Sequence, residues 1–312
     1  MMKLSLVLPC YNEQDALPAT IRRLVAIYQR LRAERRIDDH SEILFVDDGS
    51  RDATWALIVA AARDCHWVRG IKLSRNRGHQ AALMAGLSVA TGEAVISLDA
   101  DLQDDPTAIE HMIAAYQSGA DIVYGVRKKR ATDTTFKRAT AWAYYWLLAR
   151  LGVEIVFDHA DYRLLSRRAL EALKQYEERN LFLRAIVPQL GYPSAIVYYE
   201  RAERRAGASK YSPRKMLSFA WQGITSFSSA PLRIITALGL IVSCGSFVIA
   251  AWALWVRFWS ASAVPGWAST VLPMYLIGGI QLLCLGIIGE YLAKIYLEVK
   301  RRPAFFIEDK TP

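Results

Sequence analysis

Four carboxylates lie within residues 99–105 of this 312-residue chain, and they are the side chains best suited to chemistry. They directly follow the apolar segment Ala94–Leu98, which has the composition of a buried strand. Clustered carboxylates repel one another unless a positive charge lies among them. Oxygen ligands suit Mg²⁺ or Mn²⁺, and such ions keep substrate phosphates in their coordination shell. The run therefore predicts a divalent metal site. The alternative is a turn that begins a helix, which Asp-Asp-Pro also favours.

Strand-like and helix-like segments alternate through the first two thirds of the chain. Apolar runs typical of strands cover Leu4–Leu8, Glu42–Val46, Val68–Leu73, Ala94–Leu98 and Asp121–Tyr124. Helical patterns cover Ala16–Arg35, Asp52–Ala62, His79–Ala90 and a segment that begins at Pro106. The alternation predicts an α/β domain with a mostly parallel sheet and helices on both faces.

A polar cluster follows each of the first four predicted strands. The clusters are residues 9–13, 47–50, 74–78 and 99–101. In a parallel sheet ligands bind outside the carboxyl ends of the strands, so we expect all four clusters to meet at one site. One such cluster could be an ordinary turn, but four in succession favour a binding site.

Two long uncharged segments predict a membrane anchor. Ile234–Val256 and Val271–Gly289 are each long enough to cross the hydrocarbon core, which takes about 20 apolar residues. A buried helical hairpin in a soluble core is the alternative, but neither segment has a periodic polar face. Lys and Arg flank the pair on both outer sides, which predicts that the N-terminal region and the C-terminal tail are cytoplasmic. No signal peptide is predicted, since Leu4–Leu8 is too short for one.

The net charge of +9 is unevenly distributed, with most of the excess of Lys and Arg in residues 163–215. A basic segment just before a membrane span suits an anionic bilayer or a phosphorylated lipid. No nucleic-acid-binding module accompanies the charge, which excludes nucleic acid as the predicted partner. The four cysteines share no metal-ligand spacing and are predicted to be free thiols.

With these motifs in order, the chain resembles the family 2 glycosyltransferases of GT-A (Rossmann-like) fold. Within that family it resembles the polyprenyl-phosphate glycosyltransferases, which include dolichol-phosphate mannose synthases and bactoprenol glucosyltransferases. The motifs that carry the resemblance are residues 9–13, 47–50, 75–78, 99–104, 161–164, 178–182 and 204–211. The resemblance implies a cytoplasmic GT-A catalytic domain at 1–212 and an interfacial helix at 213–232. A two-helix transmembrane hairpin at 233–292 and a cytoplasmic tail at 293–312 would follow.

For the nucleotide-sugar donor, the resemblance implies binding of the nucleoside by Pro9, Tyr11, Glu13 and Asp48. A cap on the following helix is the alternative role for Asp48. The Arg75 guanidinium matches the geometry of a phosphate.

The resemblance also divides the acidic run into roles. Asp101 is expected to ligate Mg²⁺ or Mn²⁺ directly, with Gln103 as a further ligand. Asp99 would hold the sugar or ribose, or reach the metal through water. Asp104 and Asp105 are expected to begin the next helix.

For the acceptor, the resemblance implies a lipid phosphate and an acidic residue beside it. Asp161 and Asp158 compete for that position, as a base or as a positioning group. The predicted phosphate anchors are Arg163, Arg205 and Lys210, with Ser209 as a hydroxyl donor. His66, His79 and His111 show no ligand spacing and are interpreted as ordinary histidines.

These expectations amount to inverting transfer of a hexose onto polyprenyl phosphate, with UDP-glucose and undecaprenyl phosphate as the expected pair. Another sugar, such as mannose or a modified arabinose, is the first alternative. A non-catalytic membrane scaffold and a polymerising synthase are the others. The resemblance further makes a homo-oligomer a candidate assembly.

Overall fold

The structure is a computed structural model that describes residues 1–101, 104–127, 159–176, 178, 183–200, 230–259 and 267–311. The chain divides into two compact units. The first holds the described residues up to 200 together with 301–311, and the second holds those of 230–300.

The first unit contains an eight-stranded sheet within its described residues. The strands are β1 (Leu4–Cys10), β2 (Glu42–Asp47), β3 (Val68–Leu73), β4 (Ala94–Ser97), β5 (Ile122–Arg127), β6 (His159–Ser166), β7 (Ser194–Tyr199) and β8 (Ile307–Lys310). Their spatial order is β7-β5-β6-β4-β1-β2-β3-β8. Strands β1 to β4 pair in parallel, as do β5 and β7, whereas β6 and β8 run antiparallel to their neighbours.

Helices connect these strands in the predicted alternation. They are α1 (Leu17–Ala33), α2 (Thr54–Asp64), α3 (His79–Val89), α4 (Ala108–Gln117), α5 (Arg167–Lys174) and α6 (Leu183–Gln189). Because helices cover the parallel strands, β2 and β4 are buried at every position. The predicted α/β class and mostly parallel sheet are confirmed.

Strand β8 comes from a tail for which the sequence predicted no strand. It pairs with β3 and forms the edge of the sheet, and the Gly70 N–H donates to Thr311 Oγ1 at 2.8 Å. The Thr311 N–H donates to the Gly70 carbonyl at 2.9 Å. A four-residue strand with charged residues has no clear period, so only the tertiary pairing identifies it.

The second unit contains two long helices, α7 (Ala230–Trp259) and α8 (Trp267–Val299). Each includes one of the two predicted spans. Within the described residues one segment, Ile277–Val299, is long and apolar enough to cross a membrane. It begins and ends later than the predicted Val271–Gly289, and the two-span prediction is not confirmed by this criterion. Most of the predicted interfacial helix at 213–232 lies outside the described residues.

Candidate active site at the carboxyl edge of the sheet

The four polar clusters predicted from the sequence follow the carboxyl ends of β1 to β4. Cys10 at the end of β1 pairs with Asp47 at the end of β2, and Asp47 pairs with Lys72 in β3. Val7 in β1 pairs with Ser97, the last residue of β4. The loops that begin at these strand ends therefore share one edge of the sheet.

The first two loops are joined by reciprocal hydrogen bonds. The Asn12 N–H donates to Ser50 Oγ at 2.9 Å, and the Arg51 N–H donates to Asn12 Oδ1 at 2.9 Å. The Glu13 N–H donates to Thr54 Oγ1, also at 2.9 Å. These bonds fix the loop of residues 9–13, in which the Tyr11 ring is exposed and Pro9 and Glu13 are half-buried.

Asp48 joins the second loop to the third. Its Oδ1 and Oδ2 accept the backbone N–H groups of Arg77 and Gly78 at 2.7 and 2.9 Å. Asp48 is thus a clamp for residues 75–78 and does not cap α2. Burial raises the pKa of its carboxyl, and the two N–H groups oppose that rise.

Gly49 permits this close approach of the two loops. A Cβ at Gly49 would lie 2.7 Å from both the Arg75 carbonyl carbon and the Asn76 nitrogen. Its φ of +68° is also one that L-residues rarely adopt. Arg75 itself is exposed.

Asp161 reaches the same edge from β6. Because β6 is antiparallel to β4 and Ser97 pairs with Arg163, continuing that register by two residues brings Asp161 opposite Asp99. His79, the first residue of α3, lies between these two acids. Its Nε2 is 3.3 Å from Asp161 Oδ2 and 3.7 Å from Asp99 Oδ1.

Asp161 is buried and receives several donors besides His79. Arg163 Nη2 contacts Oδ1 at 2.5 Å, and Gln80 Nε2 donates to Oδ2 at 3.2 Å. Arg184 Nε and Nη2 lie 3.4 Å from Oδ1 and Oδ2. Although burial opposes ionisation, the hydrogen bond with His79 and the two arginines hold the pKa of Asp161 far below its usual range. A carboxylate stabilised in this way is a weak base.

Arg163 lies behind Asp161, away from solvent. Only 2% of its side chain is exposed, and its Nη1 donates to the Leu183 carbonyl at 3.0 Å. Arg163 therefore supports Asp161 and the start of α6. In this position it contacts protein groups on both sides, which differs from the phosphate anchor expected from the sequence.

The acidic groups near Asp99 fit a divalent cation. Burial and the nearby Asp161 and Asp101 raise the pKa of Asp99, while His79 lowers it. Burial, followed by Asp101, Asp52 and Asp99, raises the pKa of Glu13. A cation would relieve this mutual repulsion, and oxygen donors are the ligands that Mg²⁺ and Mn²⁺ take.

Among the described residues, no three His, Cys, Asp or Glu side chains form a ready metal-ligand set. That is compatible with a site in which one or two carboxylates act together with substrate phosphates. Gln103, the third predicted ligand, lies outside the described residues.

The two acids after the metal motif have different surroundings. Asp105 lies just before α4, close to its predicted place, and its carboxylate accepts the Thr107 N–H at 3.0 Å. For Asp104 the prediction is wrong. Asp104 is buried and pairs with Arg127 Nε at 3.1 Å, and Arg127 Nε also donates to the Tyr199 hydroxyl. An arginine at the end of β5 holds this carboxylate, a contact that local sequence could not show.

Four other predicted site residues, Asp158, Arg205, Ser209 and Lys210, lie outside the described residues. Conversely, the sequence interpretation missed three residues around Asp161, which are His79, Gln80 and Arg184. His79 was taken for an ordinary histidine. Its place directly after the glycine of the 74–78 cluster, at the start of a helix that follows a parallel strand, was the signal available for it.

Comparison with known proteins gives consistent matches along the chain. The model of the family described as Glycosyl transferase family 2 matches residues 5–174. The uncharacterized glycosyltransferase YkoT of Bacillus subtilis is 47% identical over 98% of this chain and 91% of its own. The SfII prophage-derived bactoprenol glucosyl transferase of Shigella flexneri is 40% identical over 98% of both chains. The prophage bactoprenol glucosyl transferase homolog of Escherichia coli K12 is 40% identical over 98% of this chain and 99% of its own.

Solved structures show more distant similarity. Glucosyl-3-phosphoglycerate synthase from Mycobacterium tuberculosis, in complex with Mn²⁺, UDP and phosphoglyceric acid, is 20% identical. It aligns with a TM-score of 0.46 over 72% of this chain and 76% of its own.

Proposed function

Since the chain belongs to glycosyltransferase family 2, we propose that it transfers a hexose from a nucleotide sugar to a polyprenyl phosphate. Relatives of nearly the same length are named bactoprenol glucosyl transferases, so glucose from UDP-glucose and undecaprenyl phosphate are the proposed pair. The geometric observation that carries the proposal is the convergence of Asp48, Asp99 and Asp161 at one sheet edge.

The donor is proposed to bind over the first three loops. Tyr11 offers an exposed ring for stacking on a base, and Glu13 and Asp48 offer carboxylate oxygens to ribose or base. Arg75 is exposed and can reach a diphosphate. Hydrogen bonds join the loops to one another without substrate, so little conformational entropy is lost when the loops bind it.

Asp101 and Asp99 are proposed to hold Mg²⁺ or Mn²⁺, with Gln103 as a further ligand. When bound, the ion would neutralise charge on the diphosphate leaving group, which is worth several kcal/mol. Glu13 lies close to these carboxylates, because burial and then Asp101, Asp52 and Asp99 raise the pKa of its carboxyl.

The acceptor is proposed to attack without a protein base. A phosphate monoester has a second pKa of about 6, so its oxygen is largely anionic at neutral pH. That oxygen forms a bond to the anomeric carbon as the bond from this carbon to the diphosphate oxygen breaks. The electron pair leaves with the nucleoside diphosphate, and a single displacement inverts the anomeric configuration.

Asp161 is proposed to position groups in this reaction rather than to remove a proton. Its contacts with Arg163, Gln80, His79 and Arg184 hold it ionised and fixed. Arg205, Ser209 and Lys210 remain the proposed anchors of the lipid phosphate, and Asp158 remains the alternative acid.

The return of the chain to the sheet supports a membrane hairpin. The described residues up to 200 and strand β8 belong to the same unit, so they lie on the same side of any membrane. If Ile277–Val299 crosses the bilayer, another segment between residues 200 and 277 must cross it as well. The uncharged stretch within α7 is the proposed second span, which leaves the catalytic unit and both termini in the cytoplasm.

The direct test uses the full-length protein in detergent with undecaprenyl phosphate, Mn²⁺ and a panel of labelled nucleotide sugars. We expect UDP-glucose to label a chloroform-soluble lipid and to release UDP in equal amount. Labelling from GDP-mannose or a UDP-linked arabinose instead would change the proposed sugar but leave the proposed type of reaction in place. Absence of labelled lipid from every donor would favour the non-catalytic scaffold.

A further inference from the structure

Arg184 is an arginine beside Asp161 for which the sequence predicted no role. Its side chain is 38% exposed, whereas that of Arg163, the other arginine on the same carboxylate, is 2% exposed. Arg163 Nη2 lies 2.5 Å from Asp161, but the nearest Arg184 nitrogen lies 3.4 Å away. Arg184 is therefore the outer and more loosely held cation of the pair.

The backbone next to Arg184 is fixed to Asp161 through two side chains. Gln80 donates to Asp161 Oδ2 and accepts the Leu183 N–H through Oε1 at 3.3 Å. Arg163 donates to Asp161 Oδ1 and to the Leu183 carbonyl. Both polar backbone groups of Leu183 are thus tied to the groups that hold Asp161. This arrangement places the next residue, Arg184, at the carboxyl edge of β4.

The two arginines on Asp161 differ in exposure, and Arg184 is the one that solvent reaches. One carboxylate carries two guanidinium groups, and the buried Arg163 already forms the close pair. Burial lowers the pKa of Arg163, and Arg184 lowers it further. Among the described residues, Asp161 is the one hydrogen-bond partner of Arg184. An incoming anion could pair with Arg184 without leaving Asp161 uncompensated.

We propose that Arg184 binds an anionic phosphoryl oxygen of a substrate, while Asp161 orients its guanidinium. A guanidinium presents planar donors that match phosphate oxygens. Two sources share this chemistry, the diphosphate of the donor and the phosphate of the lipid acceptor. The inference rests on the proposed glycosyl transfer and adds a substrate contact to it.

The test compares Arg184→Ala and Arg184→Lys with wild type and with Arg168→Ala. Arg168 is the matched control, because it also pairs with a carboxylate, that of Asp121, at the opposite edge of the sheet. For each protein, KM is measured separately for UDP-glucose and for undecaprenyl phosphate. Calorimetric titrations with UDP and with farnesyl phosphate measure binding without turnover, and thermal melting in detergent reports folding.

Arg184→Ala is expected to raise one KM about tenfold or more, as for loss of a charge-assisted hydrogen bond. Arg184→Lys should recover only part of this, and Arg168→Ala should change neither KM. A raised KM for UDP-glucose with weaker UDP binding assigns the donor diphosphate. A raised KM for lipid with weaker farnesyl phosphate binding assigns the acceptor.

Wild-type values of both KM and of both dissociation constants in a folded Arg184→Ala protein would overturn the inference. So would a fall in kcat alone with unchanged binding, because that pattern fits a purely structural role. If Arg184→Ala does not fold, Arg184→Lys decides by the same criteria. The two proposals can fail separately. If the wild-type protein makes no glycolipid but binds UDP more tightly than Arg184→Ala does, the proposed function is wrong and the phosphoryl contact of Arg184 stands.

Discussion

At the scale of single residues, Asp161 is the group on which most contacts of the site depend. Removing one member of a buried ion pair strands the other and costs about 3–5 kcal/mol. Loss of activity in an Asp161→Ala protein would therefore reflect the stranded Arg163 as much as any step of the reaction. Asp101 is exposed rather than buried, so its replacement costs less stability and tests chemistry more directly.

Replacing Asp101 by Asn is expected to lower kcat/KM at least about 100-fold, because a metal ligand supplies several kcal/mol of stabilisation. The measurement is the rate of glycolipid formation across a Mn²⁺ titration, in which the variant should need more metal. Asp105→Asn is the control, since the Asp105 carboxylate accepts the Thr107 N–H just before α4. If Asp101→Asn and wild type depend on Mn²⁺ concentration in the same way, Asp101 is not a metal ligand.

At the scale of elements, the amino-terminal edge of the sheet is held by a buried carboxylate that takes no part in the proposed chemistry. Glu42 at the start of β2 is 3% exposed. Its Oε1 accepts Ser5 Oγ at 2.7 Å and the Thr91 N–H at 2.8 Å, and its Oε2 accepts Arg69 Nη1 at 2.8 Å. These contacts join β1, β2, β3 and the turn before β4.

The pH dependence of stability is expected to reflect Glu42. Burial alone would raise its pKa, but the hydrogen bonds from Ser5 and Thr91 and the charge of Arg69 hold the pKa below its usual value. A lowered pKa in the folded state means that the stabilisation is complete above about pH 4.3 and is lost as the pH falls further. Glu42→Gln should therefore lose about 1–3 kcal/mol at pH 7 and less at pH 4.

Thermal melting of the full-length protein in detergent at several pH values measures this effect. Glu93→Gln is the matched control, because Glu93 is an exposed glutamate at the same edge of the sheet. We expect the melting temperature of Glu42→Gln to fall at pH 7 and the difference from wild type to narrow steadily as the pH is lowered below about 4.3. A constant difference at every pH would contradict the assignment of the pH dependence to Glu42.

At the scale of the whole molecule, strand β8 constrains how the chain can cross a membrane. The tail after α8 pairs with β3, so the chain must return to the side from which it left. An odd number of crossings is incompatible with that pairing. In the proposed two-span topology, the uncharged stretches of α7 and α8 supply the two crossings that this requirement demands.

Cysteine labelling in intact cells tests this topology in a background without the four native cysteines. Ser262→Cys, in the connection between the two helices, should react with a membrane-impermeant thiol reagent from outside. Asp309→Cys, an exposed position of β8, should react only after the membrane is permeabilised. External labelling at Asp309→Cys, or protection at both positions, would contradict the two-span hairpin.

The sequence by itself determined the α/β class, the strand-end position of the acidic clusters and the long apolar segments. These features depend on local periodicity and on the rule that parallel strands carry their sites at one edge. The tertiary structure decided which groups meet Asp161. Gln80 lies 81 residues from it in sequence, and its other partner, Leu183, lies 103 residues from Gln80. Such contacts follow from the insertion of antiparallel β6 between β4 and β5. The pairing of β8 with β3 likewise depends on the order of the strands in the sheet. No local pattern in the sequence encodes that order.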